Sequence, residues 1–215
     1  MKDVRDIHDR GLTPELLLRA YRSGFFPMAE SRDGPIHWYS PEPRGIIPLE
    51  AFHVPRTLRR VVRSGRYVVR CDTLFERVIL ECAAREETWI SEDIIRVYTE
   101  LHRTGYAHSV EAWEEEMLAG GLYGVALGRV FFGESMFSRH RDASKIALVH
   151  LVRRLLAEGY GLIDCQMHTP HLASLGAIEL PRAEFARRLK DLVDYARPPG
   201  PWRGERQDPA EACRN

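Results

Sequence analysis

The sequence predicts a mixed α/β (α+β) protein, and three observations support that prediction. Tyr106–Trp113, Met117–Leu127 and Val130–Phe137 have the composition of consecutive strands joined by short turns. Ala143–Glu158 then shows the apolar spacing of an amphipathic helix, and Tyr160–Gln166 is typical of a further strand. Antiparallel strands followed by a helix and another strand predict a mixed sheet that helices cover.

The first part of the chain predicts a small separate α/β domain over residues 1–62. Thr13-Pro14 is typical of a helix N-cap with proline at the first helical position, and this helix should stop before Gly24. Prolines restrict the stretch that follows to short strands and turns, and they are Pro35, Pro41, Pro43 and Pro48.

A larger domain is predicted over residues 63–195. Besides the strands and the helix above, its predicted elements are a strand at Tyr67–Cys71, a helix near Leu74–Ala84, a helix from Ser91 to Gly105, a short helical turn from Thr169 to Leu175 and a helix at Pro181–Tyr195. Residues 196–215 are rich in proline and lack periodicity, which predicts a disordered tail.

The composition leaves the class of partner open. The 215 residues include 31 basic and 31 acidic side chains, so any affinity for nucleic acid must come from a local patch. None of the four cysteines forms a C-x-x-C pair, which indicates free thiols in a reducing compartment. The charged N-terminus lacks an apolar signal region, and no stretch approaches the roughly 18 apolar residues of a membrane span. We therefore expect a cytoplasmic protein without a membrane partner, and we expect it to be a monomer.

The most asymmetric charge pattern lies between Arg56 and Arg70. This stretch contains no acidic residue, and spacings of three and four place several arginines on one face of a predicted helix. Such a face can bind phosphates, although a solvated helix face without a ligand is the common alternative. We predict phosphate binding by five of these arginines, which are Arg56, Arg59, Arg60, Arg63 and Arg66.

Two strand ends carry the candidate catalytic residues. Glu134 has apolar neighbours near the end of its strand, and strict alternation would place it on one face with Phe132 and Met136, opposite to Phe131. Such a carboxylate either faces a cleft or forms a structural ion pair. At the end of the last predicted strand, Asp164 and Gln166 share a face, in a position where α/β proteins bind ligands. The alternative for Asp164 is a structural cap of the following turn.

Three further patterns argue against other chemistry. The sequence fixes no histidine beside Cys165, so a buried structural thiol is favoured over a nucleophile. His168 and His171 have the spacing of a ligand pair, but no further ligand completes a zinc site. The turn before the helix Ala143–Glu158 has no glycine, whereas enzymes that use acyl-coenzyme A usually hold its pyrophosphate there with glycine amides. A zinc site and the use of acyl-coenzyme A are therefore disfavoured.

Eight short segments occur in an order that is far more specific than any one of them. They are Gly24–Met28, Trp38–Arg44, Thr88–Ile90, His108–Trp113, Gly133–Ser138, Ala143–Lys145, Leu162–Gln166 and Ala173–Ala177. Together they resemble the leucyl/phenylalanyl-tRNA–protein transferase family. This chain has Trp38-Tyr39 where that family often has two tryptophans before Ser-Pro, but tyrosine can also stack on a base.

The resemblance implies an activity and roles for the candidate residues. The family transfers Leu, Phe or Met from aminoacyl-tRNA to acceptor proteins with N-terminal Arg or Lys, and so marks them for degradation. Gln166 would contact the incoming amine, and Asp164 would polarise or orient Gln166. Glu134 would hold the acceptor side chain or the aminoacyl amine, and the basic stretch would hold the acceptor stem. The resemblance implies no metal and no cofactor. The implied fold is a small N-terminal domain followed by a domain like the Gcn5-related N-acetyltransferases, whose strand order matches the predicted one.

The resemblance also implies a pocket for the aminoacyl side chain. Its lining would be Leu122, Phe131, Met136, Leu148, Leu151, Leu155 and Ile163, each of which is equally typical of a protein core. Trp38 and Trp113 are candidates to stack on the terminal adenosine, although a buried tryptophan is often a core residue. An enzyme that uses acyl-coenzyme A and a non-catalytic RNA-binding protein remain the alternatives.

Overall fold

The computed structural model describes residues 11–202, so the first ten residues and the end of the predicted tail, with Cys213, lie outside the described part. The helices are α1 Pro14–Arg22, α2 Arg56–Arg63, α3 Phe75–Ala83, α4 Glu92–Arg103, α5 Ala143–Ala157, α6 Pro170–Ala173 and α7 Arg182–Val193. The strands are β1 Phe26–Ala29, β2 Ile36–Tyr39, β3 Arg44–Pro48, β4 Val68–Cys71, β5 Ala107–Glu114, β6 Met117–Leu127, β7 Val130–Ser138, β8 Leu162–Gln166 and β9 Ile178–Leu180.

A seven-stranded mixed sheet with the order β4-β5-β6-β7-β8-β3-β9 forms the centre of the molecule. Its neighbouring strands are antiparallel, except for β7 and β8, which run parallel. The predicted mixed α/β class is confirmed, as is the succession of three antiparallel strands, a helix and a further strand. The other two strands, β1 and β2, pair as an antiparallel hairpin.

Side-chain caps form at the helix starts that the sequence predicted. The Thr13 hydroxyl accepts from the N–H of Leu16 at 3.3 Å, and the Ser91 hydroxyl accepts from the N–H of Ile94 at 3.4 Å. Each cap satisfies one of the amide groups that have no partner in a first helical turn. The four strands predicted from Tyr106 onward are confirmed, with bounds that differ by at most two residues.

Helices cover both faces of the sheet. On one face, α1 and α4 bury residues such as Leu17 and Val97 in a core that also includes side chains of α3 and α7. On the other face, α2 and α5 bury residues such as Leu58 and Leu151. Successive side chains of a strand point to opposite faces, so each central strand contributes to both cores. No helix within residues 11–202 is both long and apolar enough to cross a membrane.

Two elements of the predicted N-terminal domain pack into the larger unit. β3 pairs with both β8 and β9, and α2 buries Leu58 and Val62 in the same core as α5. These contacts cross the predicted boundary at residue 62, and the division into two domains remains a prediction. In the predicted tail, Trp202 is buried against His108 of β5, which the absence of periodicity did not anticipate.

Candidate active site

A cavity of about 310 Å³ opens where β7 and β8 separate. The two parallel strands pair at only three positions, of which the last joins Phe132 to Asp164. Beyond this point β7 continues to Ser138 and β8 to Gln166. The two strand ends that the sequence marked as candidate ligand sites therefore meet at one cavity, and residues 26–28 of β1 form another part of its wall.

Each of these two strands has a β-bulge at the cavity. Between β6 and β7 the pairing shifts at Tyr123 and Gly124, which leaves Glu134 as the extra residue. Between β3 and β8 the pairing shifts after Gly45, which leaves Cys165 as the extra residue. A bulge changes the direction of nearby side chains, and bulges are frequent beside active sites.

The bulge at Glu134 interrupts the predicted alternation of side chains along β7. The sequence placed Phe132 and Met136 on one face and Phe131 on the other. In the structure Phe132 belongs to the core under α1 and α4, whereas Met136 packs with Phe131 into the core under α5. The prediction was wrong because the extra residue reverses the alternation after it, and as a result both Phe131 and Met136 line the cavity.

Glu134 is a partly buried carboxylate in the cavity wall. Its Oε1 accepts from the Tyr21 hydroxyl at 2.7 Å and its Oε2 accepts from the Tyr98 hydroxyl at 2.9 Å. The side-chain amide of Gln166 donates from Nε2 to Oε1 at 3.2 Å. Burial raises the pKa of Glu134 to about 7, although the two tyrosine hydrogen bonds oppose the shift. Hydroxyls and an amide, and not an arginine, are thus its hydrogen-bond partners, which favours the cleft over the structural ion pair.

Gln166 has a backbone conformation that side chains rarely adopt. Its φ is +59°, and the N–H of Met167 donates to the carbonyl of Cys165 at 2.6 Å. These two features describe a γ-turn of the rare, strained form with Gln166 at its centre. Backbone strain of this kind costs about 1–3 kcal/mol and persists where the surrounding structure enforces it.

The contact with Glu134 fixes which way the Gln166 amide faces. An ionised carboxylate can only accept hydrogen bonds, so the amide nitrogen must face Glu134. The amide oxygen is then left to accept a hydrogen bond from a group in the cavity, which Gln166 lines. The hydroxyl of Tyr123, another residue of the cavity wall, has no hydrogen-bond partner within residues 11–202.

Asp164 contacts Arg44 and the backbone of Gln166, and its role in catalysis remains a prediction. Its carboxylate accepts two hydrogen bonds from Arg44, at 2.8 and 2.6 Å, and both side chains are fully buried. The Arg44 guanidinium also lies 5.0 and 4.7 Å from the ring centres of Phe26 and Phe185. Asp164 contacts Gln166 through the backbone, since the Gln166 N–H donates to Oδ1 at 3.0 Å. The negative charge of Asp164 is therefore compensated by Arg44, and its carboxylate anchors the strained turn.

Gly45 lets β3 approach this turn closely. A Cβ at Gly45 would lie 2.7 Å from the backbone nitrogen of His168 and 2.7 Å from the carbonyl carbon of Met167. A larger residue there would displace the turn that carries Gln166. Sequence reasoning assigned no functional role to Arg44 or Gly45. Arg44 contacts Asp164 from a position 120 residues away in the chain, so no local pattern links the two residues.

Most of the predicted aminoacyl pocket lines the cavity. The predicted residues in its wall are Leu122, Phe131, Met136, Leu148, Leu151 and Ile163. Leu155 does not line it, because it lies one helical turn beyond Leu151 and is fully buried in the core under α5. The role of the six lining residues in binding remains a prediction.

Neither of the two predicted stacking tryptophans lines this cavity. Trp38 of β2 lines a different pocket, of about 600 Å³, and Trp113 is buried beneath the Arg70 guanidinium, which is 4.6 Å from its ring. The tryptophan in the cavity wall is Trp89. Trp89 lies in Thr88–Ile90, one of the segments that resemble the family, but the resemblance implies no role for it.

The alternatives for other chemistry gain no support from the structure. Burial raises the pKa of the Cys165 thiol to about 12, so a thiolate nucleophile is disfavoured at neutral pH. At the N-terminus of α5, where an acyl-coenzyme A pyrophosphate would bind, Asp142 places a carboxylate 3.1 Å from the Lys145 ammonium. Within residues 11–202, no three His, Cys, Asp or Glu side chains cluster as metal ligands would.

The predicted basic helix face is present in the structure. α2 exposes Arg56, Arg59, Arg60 and Arg63, while Leu58 and Val62 face the core. Arg66 follows the helix and pairs with Glu114, with its Nε 2.6 Å from Oε1, so it offers less free charge than the four arginines of α2. Phosphate binding by this face remains a prediction.

Comparison with known proteins places the chain in one family. Residues 46–190 match the family described as leucyl/phenylalanyl-tRNA protein transferase, and residues 10–42 match the N-terminal domain of the same family. The chain belongs to this family. It is 58% identical over 189 residues to the leucyl/phenylalanyl-tRNA–protein transferase of Paramagnetospirillum magneticum, across 86% of this chain and 90% of the relative. The transferase of Rubrobacter xylanophilus is 59% identical over 183 residues, across 85% of this chain and 95% of the relative.

Membership of this transferase family confirms the predicted enzyme class, an aminoacyltransferase. Among solved structures, L-PGS from Bacillus licheniformis matches with a TM-score of 0.40 and 14% identity, over 59% of this chain and 46% of that one. A similarity that low has no bearing on function.

Proposed function

We propose that this protein transfers Leu, Phe or Met from aminoacyl-tRNA to the N-terminal Arg or Lys of acceptor proteins, and thereby marks them for degradation. It acts in the cytoplasm as a monomer and needs no metal or cofactor. The observation that carries the proposal is an apolar cavity that ends at the Glu134–Gln166 pair, in a chain of this family.

The cavity suits one apolar side chain. Phe131, Leu148, Leu151 and Ile163 contribute apolar surface to its wall. Its volume of about 310 Å³ is at the low end for ligand pockets, so it fits an aminoacyl side chain better than a whole nucleotide. An apolar wall distinguishes side chains by only about 1–3 kcal/mol per methylene, so overlapping use of Leu, Phe and Met is expected.

The reaction is the aminolysis of an ester. The acceptor α-amino nitrogen attacks the ester carbonyl carbon, a C–N bond forms, and the C–O bond to the terminal ribose breaks. One proton leaves the nitrogen, and the ribose oxygen takes up a proton as it departs. An α-amino group has a pKa of about 7.7–8.0, so a useful fraction is already neutral at cellular pH. Because the ester is also activated, the enzyme has to orient the two reactants more than it has to supply a strong base.

Gln166 and Glu134 share this orienting role in our proposal. The amide oxygen of Gln166 accepts a hydrogen bond from the attacking amine, and Glu134 holds the amide in that orientation. Glu134 also supplies negative charge beside the amine. Asp164 contributes through the fold, since Arg44 neutralises its charge and its carboxylate holds the Gln166 backbone.

The transfer rate should rise with pH between about 6 and 8. Two groups lose a proton in that interval, Glu134 with a pKa of about 7 and the acceptor amine with a pKa of about 7.7–8.0. Ionised Glu134 is the form that orients Gln166, so protonation below pH 7 lowers the rate. We expect kcat/KM measured from pH 5.5 to 9 to show both steps in the native protein and only the upper step in Glu134→Gln. A profile of the same shape in both proteins would contradict this role of Glu134.

The exposed face of α2 should bind the tRNA backbone. Arg59→Glu combined with Arg60→Glu should weaken tRNA binding at low salt by about tenfold or more and flatten its salt dependence, because fewer counterions are released. A matched control is Arg187→Glu with Arg188→Glu, which reverses two adjacent exposed arginines of α7 on the opposite face of the sheet. Equal losses in both double variants would mean that net charge, and not the α2 face, determines the affinity.

A labelled transfer assay tests the proposed function. Leucyl-tRNA with labelled leucine is incubated with one protein prepared with Arg, Lys or Ala at its N-terminus. We expect label on the first two forms only. No label on any form would reject the transfer, and equal label on all three would reject the acceptor class. Two further assays test the alternatives. Binding of coenzyme A without transfer would indicate an enzyme that uses acyl-coenzyme A, and binding of uncharged tRNA without transfer would indicate an RNA-binding protein.

A further inference from the structure

Trp202 is the last described residue of the chain, and it lies inside the fold. Its side chain is 5% exposed and stacks on His108 of β5, with ring centres 4.0 Å apart and 4° between the ring planes. Its backbone N–H donates to Asp72 Oδ2 at 2.8 Å, and the Arg154 guanidinium of α5 lies 4.8 Å from its ring centre. The indole therefore packs against side chains of β5 and α5, and the residue that follows β4 holds the backbone of Trp202.

The segment that carries Trp202 also contacts two of the loops that join helices to strands of the sheet. The Gly200 N–H donates to the Gly105 carbonyl at 3.1 Å. Arg197 donates to Glu158 Oε2 at 3.1 Å, and its guanidinium lies 4.3 Å from the ring centre of Tyr160. This C-terminal segment, residues 197–202, follows α7 and lies beyond the residues 46–190 that match the family.

The Trp202 ring packs against Phe131, a residue of the cavity wall. Their ring centres are 5.6 Å apart with 28° between the planes. Phe131 is fully buried, and a Cβ at Gly124 would lie 2.5 Å from its ring, so the β6 backbone lies directly against this ring. The position of the Phe131 ring is therefore limited by the β6 backbone and by Trp202, and the space left beside it is the cavity.

We propose that Trp202 is a positioning residue that sets the depth of the aminoacyl pocket through Phe131, and with it the preference among aminoacyl side chains. This inference rests on the proposed function, since it assigns the cavity to the aminoacyl side chain. Without the indole behind it, the Phe131 ring can move back into the vacated space. The pocket then becomes deeper and gains contact with a large side chain more than with a small one, which favours Phe over Leu.

The test compares selectivity in three proteins, the native chain, Trp202→Phe and Trp202→Ala. The measured quantity is the ratio of kcat/KM for phenylalanyl-tRNA to kcat/KM for leucyl-tRNA, with one Arg-initiated acceptor. We expect this ratio to rise about fivefold or more in Trp202→Ala, and by a smaller factor in Trp202→Phe, because a few atoms of apolar contact change such ratios by about tenfold or more. A ratio does not depend on the fraction of folded enzyme, so a purely structural role for Trp202 would leave it unchanged.

Leu101→Ala is the control, because Leu101 is fully buried in the core under α4 and does not line the cavity. It should lower activity per milligram without changing the ratio. The inference is overturned if the ratio stays at the native value in Trp202→Phe and Trp202→Ala, or if Leu101→Ala changes it as much. Trp202→Phe retains most of the buried volume and keeps the test decisive if Trp202→Ala does not fold. No transfer of either amino acid by the native chain would reject the proposed function itself, and this inference with it.

Discussion

Asp164→Asn should destabilise the fold by about 3–5 kcal/mol, because it leaves the fully buried guanidinium of Arg44 without its countercharge. Arg44 has no route to water, since it lies at 0% exposure against the rings of Phe26 and Phe185. The asparagine oxygen can still accept the Gln166 backbone N–H, but its NH2 group cannot accept the second hydrogen bond from Arg44. The free energy of unfolding from urea denaturation measures the effect, and the loss of transfer should follow from the loss of folded protein.

The matched control for Asp164→Asn is Asp93→Asn, which also removes the charge of an aspartate paired with an arginine. Asp93 and Arg96 are 2.9 Å apart and exposed, so the control should cost less than about 1 kcal/mol. The double variant Arg44→Met with Asp164→Leu should recover much of the lost stability, because a buried ion pair can be replaced by apolar side chains of similar volume. A native unfolding free energy for Asp164→Asn, combined with lost transfer, would instead support a direct role of Asp164 in the reaction.

Gln166→Gly should lower kcat by about 100-fold or more while the fold remains at least as stable. Loss of one preorganised hydrogen-bonding group at a reacting centre typically costs 10²–10³ in rate. Glycine adopts a φ of +59° without strain, so this variant keeps the turn between Cys165 and Met167. A single substitution should thus separate the contribution of the side chain to catalysis from its cost to the fold.

Gln166→Ala and Gln166→Asn complete this comparison. Alanine also lacks the amide but keeps the strain, so it should be as inactive as glycine and less stable. Asparagine retains an amide and tolerates the left-handed region, but it is one methylene too short to reach both Glu134 and the amine. Thermal unfolding and single-turnover transfer measure the two effects. Transfer near the native rate in Gln166→Gly would remove Gln166 from the mechanism.

The sequence predicted the architecture because its periodic patterns are local. The strands from Tyr106 onward and the helix after them show alternation and helical spacing within a few residues, and the caps at Thr13 and Ser91 act within one turn. The strand ends at Glu134 and Gln166 were also recognisable, because polar residues interrupt apolar runs there.

The arrangement of the site could not be predicted in the same way, because it depends on long-range contacts. The bulge at Glu134 reverses an alternation that local pattern takes to be regular. Two of the hydrogen-bond partners of Glu134, Tyr21 and Tyr98, come from two separate helices. No local pattern indicates that Arg44 will neutralise Asp164, so the sequence alone predicts Asp164 as a catalytic candidate but not its ion pair.

A structure of the protein with a stable substrate mimic tests the central claim most directly. The mimic is phenylalanine joined to the ribose of adenosine through an amide in place of the ester. Our account predicts that the phenyl ring lies against Phe131 and Ile163 in the cavity of about 310 Å³, and that the site of attack beside the carbonyl carbon is within about 3.5 Å of the Gln166 amide oxygen. A phenyl ring in the pocket beside Trp38, or a carbonyl group remote from Gln166 and Glu134, would contradict it.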